Sequence, residues 1–454
     1  MAGPPPIPSA TNAPAVIDRA IALALDGELE QALRWAAAEL NRDPQGSVCL
    51  LLTSRWVAEL GRVDAGVAGL ETCVARSIAS GQLPVAVAAC AEIRRLGADP
   101  SASYAKIARA YADGSPSLSH RQVSPPAIGG ALSGGGPEEV EAPLPKLFSG
   151  EALLDEAVDT LLAARAALPE GDPTDLPQQP LFSSLGESAL AGFIEIFELE
   201  IVSEGTQLID EGSLGSSAYV VVRGELEVSK SALEGEPPVR LARLGGGTLV
   251  GEMALISRAP RAASVSALRP SLLLSATKAA LDALAAREPA IGDEFAARFR
   301  RRMVENLVRT SSILRAVSAR ERPALVERFV TRAFEAGERL IEQGQASDGL
   351  HLIASGAVVV THREADGDDL PIAELGVGEV VGEVALVLRR PSNAEVSARL
   401  PTVTLHLPRE GFQAVIKEHP ALLAELYELA VQRDEQTSSI VAQEATEVDD
   451  FILI

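Results

Sequence analysis

The sequence predicts a multidomain chain: an N-terminal α-helical solenoid, then two tandem β-barrel or jelly-roll domains with flanking helices. Three observations carry that reading. Apolar residues recur at helical spacing through the first hundred positions. A Pro-, Gly- and Ser-rich stretch then interrupts the pattern. Beyond residue 181 a glycine-punctuated, β-rich texture occurs twice, at an almost constant offset.

Residues 1–13 are rich in Pro, Ser and Ala and read as disordered. From 14 to 113, Ile17, Ile21 and Leu25, then Leu29, Leu33 and Leu40, form stripes at three- and four-residue spacing. Gly27 and Gly61 lie 34 residues apart, each ending one helix and opening the next. A third helix pair is expected around 85–96 and 103–112. Gly27, Ala32 and Pro44 fall at the spacing of a tetratricopeptide repeat, which this region resembles. The resemblance implies a protein-docking or dimerisation surface, against an unrelated helical bundle. Residues 114–180 read as a linker. Ser124-Pro125-Pro126 and Gly134-Gly135-Gly136-Pro137 cannot hold a helix, whereas 150–168 carries Leu153, Leu154, Val158, Leu161 and Leu162 on one helical face.

From 181 to 310 short apolar runs alternate with glycines, as in a barrel. Tyr219–Val222 reads as a strand, with Glu225–Ser229 as its continuation or partner. Ala279–Glu288 and Ile291–Leu314 read as helices, the second carrying Arg298, Arg300, Arg301 and Arg302. Residues 311–436 repeat the domain. Gly205, Gly212 and Gly224 recur as Gly337, Gly344 and Gly356, each 132 residues on. Gly251, Glu252 and Pro260 recur as Gly382, Glu383 and Pro391, each 131 on. The one-residue slip is expected in the hairpin containing Glu234–Pro238, since loops tolerate length changes. Residues 437–454 read as an acidic tail ending in Phe451-Ile452-Leu453-Ile454.

Composition excludes several classes. The net charge is −23, and no basic stripe offsets it, so nucleic acid is not an expected partner. No run of eighteen apolar residues exists for a membrane span. The N-terminus lacks the pattern of a signal peptide or a myristoylation site. Cys49, Cys73 and Cys90 show no spacing motif and too few neighbouring ligands for a metal, and read as buried thiols in a reducing, cytoplasmic compartment, with a disulfide between two of them the weaker reading. The five histidines are scattered, and no P-loop or Ser/His/Asp pattern occurs, so no enzyme is expected.

The chemistry concentrates in residues 250–265, Val-Gly-Glu-Met-Ala-Leu-Ile-Ser-Arg-Ala-Pro-Arg-Ala-Ala-Ser-Val. A helical turn opening at Gly251 would present backbone N–H groups to an anion. Arg261 adds a cationic fork for a phosphate, and Glu252 an acceptor for sugar hydroxyls. Ala262 and Ala263 allow close approach to the backbone. The competing reading is a barrel turn in which Arg261 and Glu252 pair only with each other. The stretch resembles the phosphate-binding cassette of cyclic-nucleotide-binding domains, close to Gly-Glu-x-Ala-Leu, a short spacer, then Pro-Arg-Ala-Ala-Thr/Ser-Val. The resemblance covers 181–436 and implies tandem cyclic-nucleotide-binding domains. It implies ligand contacts at Gly251, Glu252, Met253, Ala254, Arg261, Ala262, Ala263 and Ser264. In that family a hydroxyl residue directly after the Arg favours cyclic GMP; Ala262 stands there, so the resemblance implies cyclic AMP.

The second cassette differs. Ser392 replaces Arg261, followed by Asn393, Ala394 and Glu395. Glu395 is expected to place a carboxylate near the phosphate position, which would repel the anion. Arg389 and Arg390 are candidates for rescue, and Arg389-Arg390-Pro391-Ser392 has the look of a kinase target by coincidence. One nucleotide per chain is expected, and Ser392→Arg with Glu395→Ser should add a second, weak site. The expected function is a non-enzymatic cyclic-nucleotide receptor. Ligand in the first barrel would move a lid helix, 291–314, and alter protein contacts made by the N-terminal helices. Two alternatives stand: a scaffolding protein whose barrels bind no nucleotide, and, more distantly, a regulatory subunit of cyclic-AMP-dependent protein kinase. The layout is similar to that subunit, but 114–180 offers only His120-Arg121-Gln122-Val123-Ser124 and no double-basic motif.

Overall fold

The computed structural model describes residues 13–122, 148–169, 171, 173–179, 182–230, 238–251, 261, 263–293, 304, 307, 311–318, 320–363 and 369–452. Six helices open the chain: α1 (Ala13–Leu25), α2 (Leu29–Arg42), α3 (Ser47–Glu59), α4 (Val63–Ala79), α5 (Leu83–Arg95) and α6 (Ser101–Tyr111). Each packs on the next, so the apolar stripes are shared between successive neighbours. Gly27, Gly61, Gly81 and Gly97 end α1, α3, α4 and α5 in the left-handed conformation, with crossed backbone bonds such as Glu28 N–H to Leu23 O. Arg55, Glu59, Glu92 and Arg95 form an ion-pair network joining α3 to α5 around the buried Glu92. Cys49, Cys73 and Cys90 are buried, separate thiols; burial pushes those of Cys49 and Cys73 up to about 12.

Within the segment read as a linker, β1 (Leu118–Gln122) pairs in parallel with β2 (Leu176–Gln178). Helix α7 (Glu151–Ala166) packs on α2, α3 and α4, burying Leu153, Leu154, Ala157 and Leu161. The buried Arg76 of α4 donates to the carbonyls of Pro44 and Ala164, tying α7 down from inside. The sequence pattern marked the helix; its docking partner was not legible, because α7 meets helices far earlier in the chain, α2 to α4. Residues 1–12 and 123–147 lie outside the described residues.

The first barrel follows: helix α8 (Glu187–Glu195), then β3 (Glu198–Val202), β4 (Gln207–Ile209), β5 (Ser217–Arg223), β6 (Leu226–Lys230), β7 (Val239–Leu244), β8 (Leu249–Val250), β9 (Ser264–Ala267), β10 (Ser271–Thr277) and α9 (Lys278–Arg287). Its two antiparallel sheets run β3-β10-β5-β8 and β4-β9-β6-β7. Phe182, Phe193 and Phe197 cluster at its entrance, with Phe193 and Phe197 edge to face at 4.9 Å. Strands β5 and β6 are adjacent in sequence but lie in different sheets, so they are neither one strand nor a hairpin. Arg223, Gly224 and Glu225 carry the chain across, and Gly224 takes φ 122° where a Cβ would strike Ser271.

The helical domain docks on this barrel through α5, which packs on β3, β5 and β10. Arg94 donates to the carbonyls of Glu195 and Phe197. Asp18 of α1 bridges Arg223 and Arg269, with Arg269 Nε to Oδ2 at 2.9 Å. Burial pushes the Arg223 pKa down, and Asp18 pulls it back. Removing Asp18 would leave two cations facing each other. Asp18→Asn should therefore weaken the docking of α1 by about 2 kcal/mol. Faster amide exchange along α1 is the expected readout; unchanged exchange would show the bridge to be dispensable.

The second barrel begins after α10 (Ser312–Arg315) and α11 (Arg322–Val326). It comprises β11 (Val330–Phe334), β12 (Arg339–Ile341), β13 (Gly349–Ser355), β14 (Val358–Arg363), β15 (Asp369–Leu375), β16 (Val380–Val381), α12 (Glu383–Val387), β17 (Glu395–Ala398) and β18 (Thr402–Pro408). Helices α13 (Arg409–Glu418) and α14 (Pro420–Ile452) follow. Helix α14 continues across the boundary placed at 436 and through the acidic stretch. The sheets, β11-β18-β13-β16 and β12-β17-β14-β15, reproduce those of the first barrel. The cores correspond: Ile209, Val221, Leu226, Val250 and Val265 match Ile341, Ile353, Val358, Val381 and Val396. Registers locate the slip. Lys230 pairs with Val239, and His362 with Leu370, so the offset changes from 132 to 131 in the β6–β7 connection, of which 231–237 lie outside the described residues. Residues 294–303, which hold the Arg block of the expected lid helix, also lie outside them. The chain comprises two compact units, essentially 1–295 and 296–454. Among the described residues no helix is long and apolar enough to cross a membrane.

Candidate functional site

In the first barrel the site is built on the end of β8 and the start of β9. Gly251 closes β8 with φ 73°, where a Cβ would press on Ile209 Cδ1 at 3.0 Å and Ser217 O at 3.1 Å. Arg261 is fixed at the backbone: its N–H donates to Ser213 O (2.9 Å) and its carbonyl accepts from Gly212 N–H (2.8 Å). Its guanidinium donates from Nη1 to Gly251 O (2.9 Å) and from Nη2 to Ser217 O. The guanidinium is thus held as an ordered cationic fork over the glycine turn by two backbone carbonyls.

The space for that fork comes from Gly215. A Cβ there would lie 2.8 Å from Arg261 Cζ. Gly215 is not in the left-handed region, so room for the guanidinium is its evident use. Its contact with Arg261 leaves no mark in the sequence pattern, where Gly215 is one of several glycines that punctuate the strands. Of the other expected contacts, Ala263 is half-buried beside Arg261. Ser264 Oγ accepts from Glu211 N–H at 3.0 Å, so its hydroxyl braces the turn after β4. Glu252, Met253, Ala254 and Ala262 lie outside the described residues.

The second barrel holds the same backbone frame. Ser392 N–H donates to Gln345 O, and Gly344 N–H to Ser392 O, both at 2.8 Å, matching Arg261 bond for bond. Gly382 has φ 89° and opens α12. The side chains around the frame differ. Ser347, in the place of Gly215, donates through Oγ to Gly349 O at 2.7 Å. That carbonyl corresponds to Ser217 O, so a serine hydroxyl does here what the Arg261 guanidinium does in the first barrel.

A cavity of about 340 Å³ lies beside this turn, bounded by Ile341, Val381, Glu383, Ala394, Val396 and residues of α14. Glu383 is 2% exposed. Arg433 of α14 binds its carboxylate at 2.7 Å and reaches Glu379 at 3.4 Å. Burial pushes the Glu383 carboxyl up while Arg433 pulls it down. The acceptor that the first barrel would offer to a sugar is here engaged by a neighbouring helix.

The expectation that Glu395 faces the phosphate position is corrected. Val396 on β17 and Ala394 just before it are buried, so strand alternation turns Glu395 to the opposite face. It pairs with Arg339 at 2.9 Å. Arg390 is also directed elsewhere, pairing with Asp434 of α14, which Asn393 Nδ2 also contacts at 2.8 Å. Arg389 lines a separate cavity with Phe412 and Tyr427. Ser392 is 8% exposed, poorly placed as a kinase target.

Two jelly rolls of identical topology, each with a glycine-opened turn, are two cyclic nucleotide-binding domains in tandem: residues 199–288 and 331–419 each match the sequence profile of the Cyclic nucleotide-binding domain. The pair is homologous to regulatory subunits of cAMP-dependent protein kinase. The regulatory subunit of Yarrowia lipolytica is 30% identical over 236 residues, 52% of this chain and 58% of that protein. The type II regulatory subunit of Drosophila melanogaster is 30% identical over 259 residues, 56% of this chain and 65% of its own. The regulatory domain of Toxoplasma gondii PKA with cAMP is 26% identical, covering 55% of this chain and 91% of that one, at a TM-score of 0.29. This chain thus spans under two thirds of the length of both curated relatives.

Proposed function

We propose that the chain is a non-enzymatic receptor for one cyclic nucleotide, cyclic AMP in preference to cyclic GMP, bound in the first barrel. The observation that carries this is the Arg261 guanidinium held over the Gly251 turn in room left by Gly215. Gly251, Glu252, Met253, Ala254, Arg261, Ala262, Ala263 and Ser264 are the proposed cassette. Arg261 takes the phosphate and Glu252 the ribose hydroxyl; Ser264 acts by bracing the turn after β4. Ala262 after the arginine supports the cyclic AMP preference. The second barrel binds no cyclic nucleotide, because Ser347 and Ser392 replace the arginine and its space, and Arg433 holds Glu383. A ligand that tightens the first cassette can act on the N-terminal helices directly, since α5 packs on the β5 and β10 strands of the same barrel. It shifts that arrangement only as far as its affinities for the two states differ.

Calorimetric titration of the full chain with cyclic AMP and cyclic GMP tests this. One site per chain, tighter for cyclic AMP, is expected. Two sites would overturn the assignment of the second barrel, and no binding would favour the scaffolding reading. Glu252→Ala should weaken binding by about 1–3 kcal/mol, through the lost hydrogen bond to ribose. A 2′-deoxy nucleotide should lose little further affinity in that variant; additive losses would show that Glu252 does not touch the hydroxyl.

Homology to kinase regulatory subunits supports a second reading, in which a kinase catalytic subunit is the protein partner. The sequence of 114–180 does not favour inhibition by a substrate-like segment, lacking a double-basic motif, and its His120-Arg121 lies on the paired strand β1. Inhibition of a cAMP-dependent catalytic subunit by this chain, relieved by cyclic AMP, would establish that reading.

A further inference from the structure

We propose that Asp348, His351 and His406 form a binding site for a divalent transition-metal ion, zinc above all, inside the second barrel. His351 on β13 and His406 on β18 are direct cross-strand partners, and Asp348 precedes β13. The imidazoles stack at 4.3 Å, and each Nε2 lies 3.4 Å from Asp348 Oδ1. The three donor atoms fall within 4.8 Å of one another. Tetrahedral zinc with nitrogen and oxygen ligands at about 2.0–2.2 Å sets neighbouring ligands about 3.3–3.5 Å apart, the separation found on both Asp–His edges.

A second observation points to a ligand. His406 is 2% exposed, and its Nε2 makes no hydrogen bond of acceptable geometry. A buried imidazole nitrogen left with a long contact to a carboxylate that it shares with His351 costs free energy, which a metal ion would offset. The outer contacts suit the role. His351 Nδ1 meets Thr404 Oγ1 at 3.1 Å, orienting the ring with Nε2 toward Asp348. Arg332 donates to Asp348 Oδ2 at 2.8 Å, which leaves Oδ1 for the ion. The Asp348 side chain is 49% exposed, so the site opens to solvent on the carboxylate side, where water would complete the coordination.

The fold does not require these residues. The matching positions of the first barrel, at the 132 and 131 offsets, are Ser216, Tyr219 and Ser275. His351 and His406 stand 55 positions apart in sequence, which is why local spacing does not show the site. An ion there would clasp β13 to β18.

The full chain, treated with a chelator and dialysed, should bind one Zn²⁺ saturably by calorimetry, with a rise in the melting temperature of the second unit. Co²⁺ should give the visible absorption of a four-coordinate nitrogen–oxygen site. His406→Gln and Asp348→Asn should each lower zinc affinity by at least about tenfold. Asp348→Asn changes an exposed side chain and leaves the buried pair in place, so it separates a binding loss from misfolding. Absence of saturable zinc binding by the wild-type chain, or binding unchanged in a folded Asp348→Asn variant, would overturn the proposal.

Discussion

Replacing Arg261 by alanine should weaken cyclic-nucleotide binding by about 2–4 kcal/mol, the largest loss expected from any single change at the first barrel. The variant removes a charged, forked contact and leaves the bound phosphate without a counter-charge. It also frees the carbonyls of Gly251 and Ser217, so part of the loss comes from a looser turn. Gly215→Ser separates the two effects. It keeps the arginine but intrudes on its guanidinium, a flexible group that can move aside. Binding should fall, with a stability cost of about 1–3 kcal/mol from the crowded guanidinium. Calorimetry on both variants, with melting curves alongside, is the check. Near-wild-type affinity of Arg261→Ala would remove Arg261 from the site and with it the proposed cassette.

How far the sequence showed this site depends on which physical signal each residue leaves. The glycine repeats were visible because turns of fixed geometry demand glycine at fixed positions, and the backbone bonds of Gly212 and Gly344 confirm the equivalence. Ser392 in place of Arg261 was visible as a change of residue type. The outward direction of Glu395 was legible in principle, from the alternation of Ala394, Glu395 and Val396, though the cassette motif alone places it near the phosphate. Gly215, Ser347 and Arg433 were not legible. Each acts through a contact made by the fold: Gly215 meets a guanidinium 46 positions away, and Arg433 reaches Glu383 across 50. The docking of α7 and the pairing of His351 with His406 are of the same kind. Local periodicity records which face of an element is buried, and not what buries it.

Comparison of the barrels recasts how a second site could be made. Ser392→Arg alone should fail, whether or not Glu395 is changed, because Glu395 points away and is paired with Arg339. The obstacle is Ser347, 4% exposed and bonded to Gly349 O in the room that Gly215 leaves open in the first barrel. A guanidinium forced against it should cost about 1–3 kcal/mol of stability through overpacking. Adding Ser347→Gly should return that stability, since the new fork could then take over the Gly349 carbonyl as Arg261 takes that of Ser217. The Ser347→Gly/Ser392→Arg chain should show a second, weaker calorimetric site for cyclic AMP, limited by the ion pair between Glu383 and Arg433. That pair must open before Glu383 can accept a ribose hydroxyl, so Arg433→Gln should strengthen the new site while leaving the first unchanged. A second site of equal strength in Ser392→Arg alone would show that Ser347 is no obstacle. Absence of one in the stable double variant would place the block at Arg433.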